Sequence, residues 1–175
     1  MGIATPKYAG RLLIRGLDQV KAVHPLTGRE RSDRWPVRPG IVGRFGLTRT
    51  NRDGSPKMHR GIDWIVPIGS PVYAAHDGKV VRAGEQSGGE GYGQRIYLLR
   101  PAEREDRLVL TIYAHLCVQF VDLLEEVRAG HCLGFVGRSG NVTHEPDHIH
   151  HEVRIGDQGK PSAVDPEWFY HERGA

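Results

Sequence analysis

The stretch DHIHHEV, residues 147–153, places three histidines within four positions near the carboxyl end of the sequence. Its continuation, HIHHEVRI, has the composition of a β-strand. Because side chains alternate between the two faces of a strand, His148 and His150 point to one face, with Cα atoms roughly 6–7 Å apart. His151 points to the opposite face, and we interpret it as a structural or surface histidine. Glu152 shares the face of the first two histidines and is placed to orient a metal ligand.

Strand character extends through most of the chain. Short runs rich in Val, Ile, Tyr and Leu alternate with turns containing glycine or proline from residue 36 onward, a pattern typical of an all-β domain. QRIYLLR (94–100) and RLVLTIY (107–113) are expected to pair as a hairpin, and SPVYAAHDGKVVRAG loosely resembles VRAGHCLGFVGRSG, which hints at a duplicated β-motif. The one helical candidate is VQFVDLLEEVRAG (118–130), for which an extended segment entering a turn fits equally well.

Length and composition exclude several classes of protein. The 175 residues favour one domain, and the net charge of +3 is mild. No run of about 18 apolar residues is present, so we predict no membrane insertion. No dense stripe of Lys and Arg with interleaved aromatic residues is present, so we predict no nucleic-acid binding. Cys117 and Cys132 are interpreted as small hydrophobic residues in strands, with a single disulfide as the alternative in an oxidising compartment.

The first residues differ in character from the rest. Residues 1–33 are basic and lack alternation, and we interpret them as an arm or short packed extension of unknown role. The first twenty residues do not have the pattern of a secretory signal. A compact domain is expected over residues 34–170, beginning with RWPVRPG, and residues 171–175 form a tail.

A second group of metal-ligating residues precedes the histidine-rich strand. A catalytic zinc site takes about three protein ligands and keeps one position open. MHRGIDW (58–64) offers His59 and Asp63 in the spacing H-x3-D, and its continuation WIVP favours a turn into a strand that brings both side chains to one point. An H-x3-D motif followed about 85 residues later by an H-x-H motif is much stronger evidence for a metal site than either motif alone. His115 ends the apolar run TIYAHL, where histidine is a poor core residue.

In this order, the segments resemble those of the lysostaphin-like (LytM-type) zinc metalloendopeptidases, which are peptidoglycan hydrolases. The resemblance covers about three quarters of the chain, from residue 34 to residue 169. Its signatures are RWPVRPGIVGRFG, MHRGIDW, GSPVYAAHDGKVVRAG, GYG, IYAHL, GFVGRSGN and HIHHEV. It implies a compact antiparallel β-sheet or β-sandwich of the duplicated hybrid-motif type, with an open catalytic groove.

The resemblance also implies a role for each matching residue. One Zn²⁺ per chain would be held by His59, Asp63 and His150, whereas His115 and His148 match catalytic positions. The implied partner is a peptide cross-link or stem peptide of bacterial peptidoglycan, cleaved by a monomer in the cell envelope or outside the cell. Three spare polar residues are candidates to line the substrate groove: Asn141, His144 and Asp147.

The sequence departs from the family pattern near the site. Position 151 is usually apolar in the family, Asp147 stands where proline is common, and GNVTHEPDH lengthens the approach to the histidines. These changes remove no ligand, but they leave the preferred peptide bond open. The alternative function is a non-catalytic peptidoglycan-binding or hydrolase-activating domain of the same fold, against which all five retained positions argue. A carrier-like β-domain would not explain H-x3-D.

Overall fold

The computed structural model describes residues 22–28, 40–85, 91–101, 107–142, 145–157 and 159–171. Within these residues the chain forms twelve strands and one short helix. The elements are β1 (Gly40–Gly43), β2 (Gly46–Thr50), β3 (Pro56–His59), β4 (Ile62–Ile65), β5 (Pro71–Tyr73), β6 (Gly78–Glu85), β7 (Gln94–Arg100), β8 (Leu108–Gln119), β9 (Glu126–Val127), β10 (Cys132–Val136), β11 (His148–Gly156), β12 (Ser162–Val164) and α1 (Pro166–His171).

Ten of the strands form one antiparallel sheet. Its main path runs β1-β4-β11-β8-β7-β6-β9, while β10 pairs with β5 and β8, and β12 pairs with β11. Strands β2 and β3 form a separate two-stranded sheet. The prediction of an all-β antiparallel domain is confirmed apart from the one short helix, and so is the hairpin of β7 and β8.

The segment 118–130 is extended rather than helical. Strand β8 continues to Gln119, and the chain then turns into the two-residue strand β9. The helix lies instead at α1, where the Asp165 carboxylate accepts the Glu167 backbone N–H at 2.8 Å and Pro166 occupies the first turn. Both features are start signals for a helix. The sequence DPEWF (165–169) carries these signals.

Strand β11 lies in the middle of the sheet and is covered on both faces. Its residues from His148 to Val153 are all buried. On the face away from the predicted site, His151 stacks on Trp64, with ring centroids 5.5 Å apart, and its Nε2 lies 2.8 Å from the Tyr170 hydroxyl. The side of the strand that carries His151 is therefore part of the core.

Part of the predicted N-terminal arm packs against this core. The Val23 N–H donates to the Ala75 carbonyl at 2.7 Å, and the Tyr73 N–H donates to the Pro25 carbonyl at 2.7 Å. Residues 1–21 and 29–33 of the arm lie outside the described residues. Cys117 and Cys132 lie in strands and are free thiols, although Cys117 is exposed. In the part of the chain that the structure describes, no helix has the length and apolar character needed to cross a membrane.

Candidate metal and catalytic site

Two pieces of backbone bring His59, Asp63 and His150 together. His59 ends β3, and Asp63 lies in β4 directly opposite His150 of β11 in the sheet register. The turn between β3 and β4 passes close to β11 at Gly61, where an added Cβ would lie 2.9 Å from His150 Cε1. Only glycine fits this approach, which is the physical reason for the glycine in H-x-G-x-D.

The facing atoms of the three side chains form a small triangle. His59 Nε2 lies 3.1 Å from His150 Nδ1 and 3.3 Å from Asp63 Oδ1, and His150 Nδ1 lies 2.7 Å from Asp63 Oδ1. All three side chains are buried. Ligands placed about 2.0–2.1 Å from a tetrahedral zinc ion are about 3.3–3.4 Å apart. The triangle therefore has nearly the size that zinc requires.

The outer nitrogens of both histidines have hydrogen-bond acceptors. His59 Nδ1 donates to the Arg44 carbonyl at 2.8 Å, and His150 Nε2 donates to Glu152 Oε1 at 3.0 Å. Each of these bonds turns a nitrogen lone pair toward the triangle, as in many zinc sites. Two imidazole nitrogens and one carboxylate form a donor set that suits Zn²⁺. The residues present thus fit this metal.

Both carboxylates near the triangle are ionised at neutral pH. Burial raises the pKa of Asp63, but its contacts with His150 and His59 outweigh burial and hold this pKa well below its usual range. Burial likewise raises the pKa of Glu152, yet its bonds to His150 and Tyr92 and the charge of Arg154 hold it at about 2. The Arg154 Nε donates to Glu152 Oε2 at 2.8 Å.

The two remaining predicted histidines stand beside the triangle. The rings of His115 and His148 are 5.1 Å apart between centroids, and the His115 ring is 6.0 Å from that of His150. His115 Nδ1 donates to the Ser139 carbonyl at 2.9 Å, and His148 Nδ1 donates to the Pro146 carbonyl at 2.7 Å. The Nε2 atom of each ring is thereby left for chemistry at the site.

The backbone of His115 is unusual. Its φ of 63° lies in the left-handed region, which costs a non-glycine residue on the order of 1 kcal/mol. Hydrogen bonds hold this conformation, because the His115 N–H donates to the Tyr92 carbonyl at 2.9 Å and its carbonyl accepts the Gly137 N–H at 2.8 Å. Burial lowers the pKa of His115 to about 4, so the ring is neutral at physiological pH.

The predicted groove residues lie in different settings. Asn141 is exposed, and its N–H donates to the Gly91 carbonyl at 3.2 Å. Asp147 is half-buried and pairs with Arg138 at 3.4 Å. His144 lies outside the described residues.

Four side chains at the site were not foreseen: Arg49, Tyr92, Arg138 and Glu145. Arg49 binds the second oxygen of Asp63, and the Tyr92 hydroxyl donates to Glu152. Arg138 donates to the Glu145 carbonyl at 2.9 Å, and the Glu145 carboxylate lies 3.6 Å from His148 Nε2. Asp63, Glu145 and His148 form a second cluster whose ligand atoms lie within 4.8 Å of one another. Each contact depends on the folded chain, and no local sequence signal marks it.

Comparison with known proteins decides the family. The sequence model of peptidase family M23 matches residues 57–166. The chain belongs to peptidase family M23. Members of this family use zinc, and the M23 domain described here contains a His–Asp–His group able to hold a metal ion. The resemblance predicted from the motifs is thereby confirmed.

Individual relatives agree with this assignment. DD-carboxypeptidase/endopeptidase Mpg of Neisseria meningitidis serogroup B is 37% identical over 102 residues, which is 58% of this chain and 21% of that protein. Cell division protein DipM of Caulobacter vibrioides is 30% identical over 168 residues, which is 94% of this chain and 25% of that protein. The M23 chain thus spans about a fifth to a quarter of the length of these curated relatives.

A solved structure matches the fold as well. The catalytic domain of the antimicrobial peptidase lysostaphin from Staphylococcus simulans superposes with a TM-score of 0.60 at 29% identity. The match covers 75% of this chain and 92% of the lysostaphin domain. The antiparallel sheet of the M23 chain is therefore that of a known peptidase domain.

Proposed function

We propose that this chain is a zinc-dependent endopeptidase that cleaves peptide cross-links or stem peptides of bacterial peptidoglycan. The observation that carries the proposal is the buried triangle of His59, Asp63 and His150, beside which two further histidines each have Nε2 available. Family membership and the name of the Neisseria relative support the substrate class. Because that relative is named a DD-carboxypeptidase/endopeptidase, we propose a cross-link between two D-configured centres as the bond to test first.

The proposed metal is one Zn²⁺ per chain, held by His59 Nε2, Asp63 Oδ1 and His150 Nδ1. When bound, the ion polarises the scissile carbonyl and lowers the pKa of a water at its open position toward about 7. The buried surroundings of these ligands strengthen their electrostatic interactions with the cation.

The protein's own residues move the proton. We propose His115 as the general base because its Nδ1 donates to the Ser139 carbonyl, which leaves Nε2 to accept a proton from the attacking water and deliver it to the leaving amine. His148, when protonated, donates from Nε2 to the carbonyl oxygen as that oxygen gains negative charge. The Ser139 and Pro146 carbonyls fix the orientation of these two rings.

The partner and place of action follow from this substrate. We propose that the domain acts as a monomer on peptidoglycan peptide in the cell envelope or outside the cell. Asn141, which is exposed, and Asp147, which is half-buried, are proposed to lie along the groove that receives the extended peptide. The alternative is a domain of the same fold that binds peptidoglycan or activates a hydrolase without cleaving.

One experiment separates these functions. The zinc-loaded protein is incubated with purified peptidoglycan containing either direct or oligoglycine cross-links, and new amino termini are identified by mass spectrometry. We expect a new terminus that disappears with chelator and with the Asp63→Asn variant. Binding to both walls without any new terminus, in protein that carries zinc, would refute the endopeptidase and favour the non-catalytic alternative.

A further inference from the structure

The two oxygens of the Asp63 carboxylate have different partners. Oδ1 faces the imidazole nitrogens of His59 and His150 at 3.3 and 2.7 Å. Oδ2 is bound by the guanidinium of Arg49, which lies in β2. Strand β2 belongs to the separate two-stranded sheet, so Arg49 reaches the triangle from outside the main sheet. In the described part of the chain, no other arginine or lysine pairs with a carboxylate of the triangle.

The neighbouring strand leaves space for this ion pair. Gly43 of β1 lies opposite Asp63 in the sheet register. A Cβ atom at Gly43 would overlap Asp63 Oδ2, and it would lie 2.9 Å from Asp63 Cγ and 3.1 Å from the Arg49 guanidinium. The space left by the absence of a side chain at Gly43 is therefore filled by Asp63 Oδ2 and the Arg49 guanidinium that binds it.

We infer that Arg49 is a positioning residue of the metal centre, which holds Asp63 as a ligand through one oxygen only. This role depends on the proposed function, in which His59, Asp63 and His150 hold a zinc ion. A carboxylate with two unbound oxygens can rotate or bind a metal through both. Because Arg49 occupies Oδ2, only Oδ1 is presented, so a bound zinc ion would take one oxygen from Asp63 and would keep a position free for water. Groups that bind metal ligands in this way typically contribute 10–100-fold in metal affinity.

Arginine has the properties that this position requires. The Asp63 side chain is only 1% exposed, whereas that of Arg49 is 36% exposed and reaches inward from the surface. A guanidinium is always charged, is weakly hydrated and keeps its donors in a fixed plane, whereas a lysine ammonium is a strongly hydrated point charge. A lysine at position 49 should therefore restore the charge but only part of the orientation.

The contact between Arg49 and Asp63 also connects the metal centre to the hairpin of β2 and β3. Register pairing places Arg49 opposite Lys57, two residues before the ligand His59. One hairpin thus carries a metal ligand on β3 and the group that orients another ligand on β2. Displacement of this hairpin would change both at once.

The test measures metal binding rather than turnover. Zinc dissociation constants are obtained by competition with a chromophoric chelator for the wild type, Arg49→Gln, Arg49→Lys and Arg52→Gln. Arg52 is an exposed arginine in the turn of the same hairpin and serves as the charge-matched control. We expect a 10–100-fold weaker affinity for Arg49→Gln, a smaller loss for Arg49→Lys and less than a twofold change for Arg52→Gln. Equal affinities for Arg49→Gln and Arg52→Gln would overturn the inference.

Replacement of zinc by Co²⁺ reports the coordination number of the metal through its visible absorption spectrum. Four-coordinate Co²⁺ absorbs visible light more strongly than five-coordinate Co²⁺, so release of Asp63 Oδ2 toward the metal should weaken the absorption in Arg49→Gln. A merely structural role of Arg49 would leave the spectrum of the folded, metal-loaded variant unchanged, and that result would also count against the inference. Gly43→Ala, which keeps every charge, should weaken zinc binding in the same direction.

Failure of the inference and failure of the proposed function are distinguishable. Wild-type protein that binds zinc but leaves peptidoglycan intact refutes the endopeptidase without touching Arg49. Unchanged zinc affinity in Arg49→Gln refutes the role of Arg49 even if the wild type cleaves peptidoglycan. Circular dichroism of the metal-free variants identifies any that fail to fold, and Arg49→Lys then carries the comparison.

Discussion

Replacing His115 with asparagine should change how stability depends on pH. Burial lowers the pKa of this histidine to about 4, from 6.5 for an exposed side chain. Above pH 6.5 the ring is neutral in both the folded and the unfolded protein, so it contributes no pH dependence. Between pH 6.5 and 4 the unfolded chain takes up a proton that the folded protein does not, and the free energy of unfolding falls as the pH falls.

The size of the effect follows from the shift. A difference of about 2.5 pKa units corresponds to about 3 kcal/mol, with a slope of at most about 1.4 kcal/mol per pH unit. The metal-free wild type should lose this amount between pH 6.5 and 4, in addition to any loss from its carboxylates. Asparagine removes the titration, and it tolerates the left-handed backbone that His115 adopts. The variant should therefore show a shallower decline.

Urea denaturation of metal-free protein at half-unit steps from pH 4 to 7.5 measures the decline. His131→Asn removes an exposed histidine and serves as the matched control. The quantity compared is the difference in unfolding free energy between each variant and the wild type as the pH changes. The reasoning fails if the slope for His115→Asn coincides with that of the wild type, because the buried ring would then titrate as it does in the unfolded chain.

Three further outcomes are expected. Glu152→Gln should weaken zinc binding by about 10–100-fold, because the acceptor for His150 Nε2 loses its charge. Chelator competition measures this affinity. Tyr92→Phe removes a different bond to Glu152 and should have a smaller effect. Gly61→Ala should lower the unfolding free energy by roughly 1–3 kcal/mol, since its Cβ would lie 2.9 Å from the His150 ring and from Glu152 Cγ; a thermal unfolding midpoint equal to that of the wild type would contradict this. Removal of zinc by chelator should abolish peptidoglycan cleavage. The β-sheet signal in far-ultraviolet circular dichroism should remain, because the core cluster that stabilises the sheet is apolar. Loss of that signal would mean that the metal is needed for folding.

Strands were predictable where local periodicity alone decides the structure. The alternation in HIHHEVRI fixed which side chains share a face of β11, and QRIYLLR paired with RLVLTIY because a connection of few residues joins them. Segment 118–130 was ambiguous, because its apolar spacing suits a helix or an extended chain. Its pairing with strands on either side, through β8 and β9, resolved the ambiguity in favour of the extended form.

The residues of the candidate site also fall into those that the sequence could predict and those that it could not. The pattern H-x3-D and H-x-H, together with His115, named five residues, and their roles remain a proposal to be tested by the experiments above. Arg49, Tyr92 and Arg138 could not be named, because arginine and tyrosine are common surface residues and nothing in their neighbouring sequence indicates a partner. Arg49 and Asp63 are 14 residues apart in the sequence, and Tyr92 and Glu152 are 60 apart.

The sequence by itself determined the strand content, the family and the residue types offered to a metal, because these depend on composition, periodicity and motif order. Tertiary structure alone decided which nitrogen of each histidine faces the site, which oxygen of Asp63 is presented, and how strongly burial shifts the pKa of His115. Burial and several of the hydrogen-bond partners come from residues that are distant in the chain, such as Arg44 for His59 and Ser139 for His115. These contacts form only when the strands have paired into the sheet.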